Sequence, residues 1–110
     1  MIYVVDLDDT ICFPNHEMLD TYSKYSLANP NVKLIEKLRQ LKSDGHTIII
    51  HSARRMLTHK GNLTAIELDV GDATRFWLEE HSVPYDQLIF GKPYGDVYVD
   101  DKAVNANDFC

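Results

Sequence analysis

The stretch Met1-Ile2-Tyr3-Val4-Val5-Asp6-Leu7-Asp8-Asp9-Thr10 decides how this chain is read, because an apolar and aromatic run stops abruptly at three carboxylates and a threonine. Met1 to Val5 is rich in β-branched residues and reads as a strand covered on both faces in a parallel α/β sheet. Carboxylates at its C-terminal edge stand where such sheets bind ligands. Asp6 and Asp8 alternate around one residue and can face one small site, so their mutual repulsion calls for a cation or a shared proton. A divalent metal is the simplest remedy.

The same pattern, an apolar strand ending in polar chemistry, recurs at three later points. Thr47-Ile48-Ile49-Ile50-His51 runs into Ser52-Ala53-Arg54-Arg55, Leu88-Ile89-Phe90 into Gly91-Lys92-Pro93, and Val97-Tyr98-Val99 into Asp100-Asp101-Lys102. In chain order the strand ends offer Asp-x-Asp, Ser, Lys and Asp-Asp. This is an inventory suited to moving a phosphoryl group, where positioning and charge stabilisation do most of the catalysis.

Between these points, Asn31 caps a helix carrying Val32, Leu34, Ile35, Leu38 and Leu41 on one face and ending at Gly45. Returning the chain to Thr47 makes a right-handed parallel crossover. Asp72 opens a second helix through Phe76, Trp77 and Leu78 to His81, before Pro84. Ile11 to Tyr25 and Met56 to Val70 fit neither period and read as loops, the latter mobile, and the tail from Asn105 to Cys110 has little to hold it.

A chain of 110 residues has room for one domain, residues 1–110, and one core. Its formal charge of −6, with no basic stripe, opposes nucleic acid as a partner, while a local cluster of cations would still admit a small anion. No apolar span long enough for a membrane and no signal-peptide pattern occurs, so the expected location is cytoplasmic, without membrane association. Cys12 and Cys110, the only cysteines, give no disulfide framework, and Cys12 beside His16 is too small a ligand set for zinc. The Asp6–Thr10 stretch also lacks the glycine that an EF-hand calcium loop needs.

The order Asp-x-Asp-x-Thr, strand-end Ser, Lys, Asp-Asp resembles the haloacid-dehalogenase-like (HAD) phosphohydrolase superfamily. The resemblance runs from Ile2 to about Lys102, and the wording around Gly91-Lys92-Pro93 and Val97 to Ala103 is most similar to small phosphatases of capsule and surface-polysaccharide biosynthesis. It implies a three-layer Rossmann-like parallel sheet with the Asp-x-Asp strand central and helices on both faces. It also implies a capless enzyme, since no insertion interrupts the motifs, with a homo-oligomer as the source of any lid.

On this resemblance Asp6 is the nucleophile of an Mg²⁺-dependent phosphatase and forms an aspartyl phosphate. Asp8 is the general acid and base, and Ser52 and Lys92 bind the phosphoryl oxygens. Asp6, Asp8 through its backbone carbonyl, Asp100 and Asp101 hold the metal, with either of the last two as the direct ligand. Thr10 holds the aspartates in place, and Arg54 is preferred to Arg55 as a contact to substrate. The substrate is expected to be a small phosphorylated metabolite, a sugar phosphate by class. A receiver-like phosphoacceptor switch is opposed by Lys92 preceding Asp100-Asp101, and an inactive HAD-like interaction module by the intact motifs.

Overall fold

The computed structural model describes residues 1–110. Three parallel strands form its sheet in the order β1 (Ile2–Val5), β4 (Thr47–Ser52), β5 (Gln87–Phe90). Ile2 to Val5 pair with Thr47 to Ile50, and Ile49 to Ser52 pair with Gln87 to Phe90, so β4 is the central strand. A small antiparallel pair, β2 (Cys12–Phe13) with β3 (Asn29–Pro30), lies beyond the end of β1.

Alternation along the strands sends Tyr3, Val5, Ile48, Ile50 and Leu88 to one side. Leu34, Ile35 and Leu38 of α2 (Val32–Ser43) and Trp77 and Leu78 of α4 (Asp72–Glu80) join Ile48 and Ile50 in one buried cluster on that side. Phe109 packs there too, against Tyr3. Ile2, Val4 and Ile89 point to the other side and are 69%, 63% and 40% exposed. The α/β architecture is as expected, but the helices cover one face rather than both, and β1 is an edge strand rather than the central one.

The edge position of β1 traces to Val97-Tyr98-Val99, which forms no strand. The Tyr98 hydroxyl donates to the Pro93 carbonyl at 2.7 Å and accepts from the Gly95 N–H at 3.0 Å, closing the segment on itself, and Val97 and Val99 stay 78% and 94% exposed. With nothing extended beside β1, its outer edge remains open.

Three stretches are more ordered than the sequence suggests. α1 (Thr21–Ser26) is capped by Asp20, whose carboxylate accepts from the N–H groups of Tyr22 and Ser23. Asn62 caps α3 (Leu63–Ile66), which continues through a π-helical turn, Glu67–Gly71, into α4. Ile66, Val70, Thr74 and Leu78 are buried along it at four-residue spacing, which follows the wider π turn and so escapes a search at 3.6 residues. The tail forms α5 (Ala106–Phe109), held by Lys37 donating to the Phe109 carbonyl.

Candidate active site

The site is built on the turn after β1. The Leu7 carbonyl accepts from the N–H groups of Ile11 and Cys12 at 2.8 and 3.2 Å, while the Asp9 N–H donates to the Cys12 carbonyl at 2.7 Å. Leu7 and Ile11 are buried, so this turn is pinned from below by the core. Asp9 takes a left-handed backbone, φ 61°, which a short polar residue tolerates better than most. The outcome is a rigid loop that displays the side chains of Asp6 and Asp8 on its upper side.

Asp6 is held from both ends. Thr10 Oγ1 donates to Asp6 Oδ2 at 3.1 Å, and Lys92 Nζ lies 3.4 Å from Asp6 Oδ1. Lys92 follows Gly91, whose φ of 99° makes the tight turn out of β5, and the Lys92 N–H donates to the Ser52 carbonyl at 3.1 Å. Its ammonium sits over the Tyr98 ring, 4.3 Å from the centroid. Asp6, Thr10 and Lys92 therefore meet as the sequence indicates.

Asp8 is paired with a buried arginine. Arg54 Nε donates to Asp8 Oδ2 at 3.0 Å and Nη2 to Asp8 Oδ1 at 2.6 Å, a bidentate pair. Arg54 Nη1 donates to Thr74 Oγ1 at 2.9 Å, and the guanidinium lies 4.0 Å above the Tyr25 ring. Arg54 is only 4% exposed, and although burial works against its charge, the Asp8 bonds raise its pKa further. It positions Asp8 and reaches the cavity wall with only a small part of its surface, so most of its donors serve the protein rather than a ligand. Cys12 contributes its Sγ to Asp8 Oδ1 at 3.5 Å; burial and the adjacent Asp8 push the thiol's pKa well up, so it remains protonated.

Ser52 also lies below the surface. It is 1% exposed, and its Oγ accepts from the Arg54 N–H at 3.0 Å, an arrangement that fixes the turn out of β4. Around Asp6 and Asp8 opens a cavity of about 490 Å³ whose wall includes Lys24, Tyr25, Arg55, Thr58, Lys92 and Tyr94. Arg55 stands at its rim, with Nε donating to Asp69 Oδ2 at 2.9 Å, and His59 Nε2 lies 2.8 Å from the same oxygen. Both arginines follow Ser52 in the sequence, and burial separates them, with Arg54 turned to Asp8 and Arg55 to the cavity rim. Lys24 and Asp69 came from stretches with no clear period and carried no signal as site residues.

Asp100 and Asp101 do not join this constellation. Both are exposed, and Asp100 Oδ1 accepts from the Lys102 N–H at 2.8 Å, which holds its carboxyl below the usual range. No three His, Cys, Asp or Glu side chains gather closely enough to hold a metal. Asp6 and the turn that carries the Asp8 carbonyl are in place, but Asp100 and Asp101 stand apart from them, so the expected Mg²⁺ ligand set is not assembled in this arrangement.

A crystal structure of a structural-genomics target from Vibrio cholerae is similar to this chain, at 33% identity and a TM-score of 0.86, over 98% of this chain and 85% of that one. Chains in two structures of the Pnkp1/Rnl/Hen1 complex, one described as an RNA repair complex, share the fold at 20% and 21% identity with TM-scores of 0.58 and 0.59. They cover 88% and 91% of this chain but only 27% and 30% of those larger ones. No family model matches the sequence, and no curated protein does. No helix is long and apolar enough to cross a membrane.

Proposed function

This chain belongs to the family of the Vibrio cholerae protein, and we propose that its Asp6 site hydrolyses phosphomonoesters through an aspartyl-phosphate intermediate, as the HAD-like phosphatases that its motifs resemble do. The observation that carries this reading is the Asp6 carboxylate held between Thr10 Oγ1 and Lys92 Nζ at the floor of an open cavity. A fixed carboxylate beside a cation is suited to in-line attack on phosphorus, because the ammonium attracts the phosphoryl oxygens as charge redistributes.

In the first half-reaction an Asp6 oxygen bonds to phosphorus, the ester P–O bond breaks, and Asp8 gives a proton to the departing alkoxide. In the second, water attacks the phosphorus of the aspartyl phosphate, Asp8 takes its proton, and Asp6 is restored with release of inorganic phosphate. Both Asp8 oxygens accept from Arg54, so one of these bonds must yield whenever Asp8 carries the proton. Ser52 supports the turn that carries Arg54, and it reaches the phosphoryl group only if the pocket floor opens.

Mg²⁺ remains part of the proposal through Asp100 or Asp101, and recruiting either requires residues 91–105 to rearrange; no step above depends on it. A small sugar phosphate of surface-polysaccharide synthesis is the substrate class that the resemblance favours, in a cytoplasmic setting. The RNA repair structures share only the fold, and the acidic chain argues against a nucleic-acid substrate.

The test is phosphate release from a panel of sugar phosphates, phosphorylated sugar acids, nucleotides and RNA ends, with Mg²⁺ and with chelator. Turnover of a small phosphomonoester is expected, and Asp6→Asn should reduce it by about 10⁴-fold or more without altering the melting temperature. Undiminished activity in that variant removes Asp6 as nucleophile, and silence across the panel removes the hydrolase reading.

A further inference from the structure

We propose that Arg55 is the specificity residue of this site and binds a carboxylate carried by the substrate at a distance from its phosphoryl group. The inference rests on the phosphomonoesterase reading and extends it to a substrate class, the phosphorylated sugar acids. It begins with the two adjacent arginines. Arg54 is consumed by Asp8, Thr74 and the Tyr25 ring, whereas Arg55 lies at the cavity wall with its Nε on Asp69 and a further side-chain hydrogen bond to Tyr25. A guanidinium held through Nε and through a bond to Tyr25 still has terminal N–H donors to spare, and these can take the oxygens of a carboxylate.

The anchor is firm. Asp69 receives both Arg55 and His59 on one oxygen, and although partial burial opposes its charge, these two bonds bring its pKa down. Asp69 belongs to the π-helical turn, so the Arg55 head is fixed to a helix rather than to a free loop. Backbone geometry adds a second, independent observation. Arg55 has φ 62°, the left-handed region, where a long side chain pays a steric penalty that glycine or asparagine would avoid. That backbone turns consecutive arginines in opposite senses, one into the core and one to the mouth.

The wall nearby is suited to the same ligand. Lys24, 5.2 Å from the Tyr25 ring centroid, stands on the cavity wall with Arg55, and the Arg55 charge also acts on the Tyr25 hydroxyl. At about 490 Å³ the cavity is of the size that takes a whole small metabolite. Its floor pairs cations with Asp6 and Asp8, so cationic donors for a further anion come from the rim.

The test compares two ligands of like length, 6-phosphogluconate and sorbitol 6-phosphate, which differ by the terminal carboxylate. Dissociation constants are measured by calorimetric titration in the Asp6→Asn protein, which prevents turnover, with Arg55 intact, Arg55→Ala and Arg55→Lys. The carboxylate ligand should bind about tenfold or more tightly than its neutral partner, the difference should vanish in Arg55→Ala, and lysine should restore only part of it. Equal binding with Arg55 intact, a preference that survives Arg55→Ala, an equal loss for both ligands, or binding of neither overturns the proposal. Phosphate release by the unmodified chain is scored separately. Selective binding without release would sink the hydrolase reading and leave Arg55 in its role, while release without selectivity would do the reverse.

Discussion

The Asp6–Cys12 turn and the Gly91–Asn105 segment follow strands of the same sheet, and each carries closely spaced aspartates, yet one is tied into the core and the other lies in solvent. Leu7, Ile11 and Cys12 are almost fully buried and anchor the first; Val97, Val99 and Val104 are 78%, 94% and 63% exposed in the second. The acidic residues share this fate. Asp8 meets a buried arginine through two hydrogen bonds, while Asp100 meets only neighbours on its own loop, the Lys102 N–H and Asp101. A strand-end carboxylate thus becomes part of a site when apolar neighbours on both sides of it are buried, and remains a loop residue when they are not.

The largest test of this contrast is Arg54→Ala. It leaves Asp8 without its cation and Thr74 Oγ1 without its donor, in a region where Arg54 itself is 4% exposed. A loss of about 3 kcal/mol in urea unfolding is expected, at the lower end for a broken buried pair because the Asp8 side chain keeps 25% of its surface in water. Replacing Asp8 as well should recover part of the loss, since the orphaned carboxylate is then gone. A single-variant loss below about 0.5 kcal/mol would mean that the pair behaves as an ordinary surface ion pair and that the contrast drawn here is false.

Gly91→Ala acts at the junction of β5 with the second segment. The backbone there has φ 99°, and a Cβ would come 2.8 Å from Leu63 Cδ2. Leu63 is 55% exposed and can turn away, so the remaining cost is the backbone, about 1–2 kcal/mol. Because Lys92 is the next residue, phosphatase activity should fall further than stability accounts for, through a displaced ammonium. Activity that tracks only the folded fraction would show that the Lys92 position over Asp6 does not depend on this turn.

How much of this was legible in the sequence follows the same division. β1, β4, β5, α2 and α4 announce themselves through apolar runs and caps that tertiary packing then uses, as with Asn31, whose side chain accepts from the Leu34 N–H. The meeting of Asp6, Thr10 and Lys92 was readable because each sits at the end of a strand whose partners were also readable. Val97-Tyr98-Val99 has the composition of a strand, but composition does not supply a hydrogen-bonding neighbour, and the Tyr98 hydroxyl found partners within its own loop. The division of Arg54 from Arg55 depends on a left-handed backbone at Arg55, which no periodicity reveals.

The smallest expected effects belong to the exposed segment and therefore test the contrast from its other side. Val99→Ser should change stability by no more than about 0.5 kcal/mol, because so exposed a side chain has little burial to lose. Asp100→Asn should lower stability slightly at neutral pH and match the parent chain in acid. The Lys102 N–H stabilises the charged carboxylate, so the folded protein holds that proton less tightly than the unfolded chain does. Its contribution to stability is present above the ordinary aspartate pKa and fades as pH falls through the lower folded value, and Asn, which cannot titrate, removes that part of the acid slope. Thermal melts of both variants from neutral pH into acid measure this directly. A loss of about 2 kcal/mol or more from Val99→Ser at neutral pH would place residues 97–99 in a packed strand against the open edge of β1, and would bring Asp100 toward Asp6 with it.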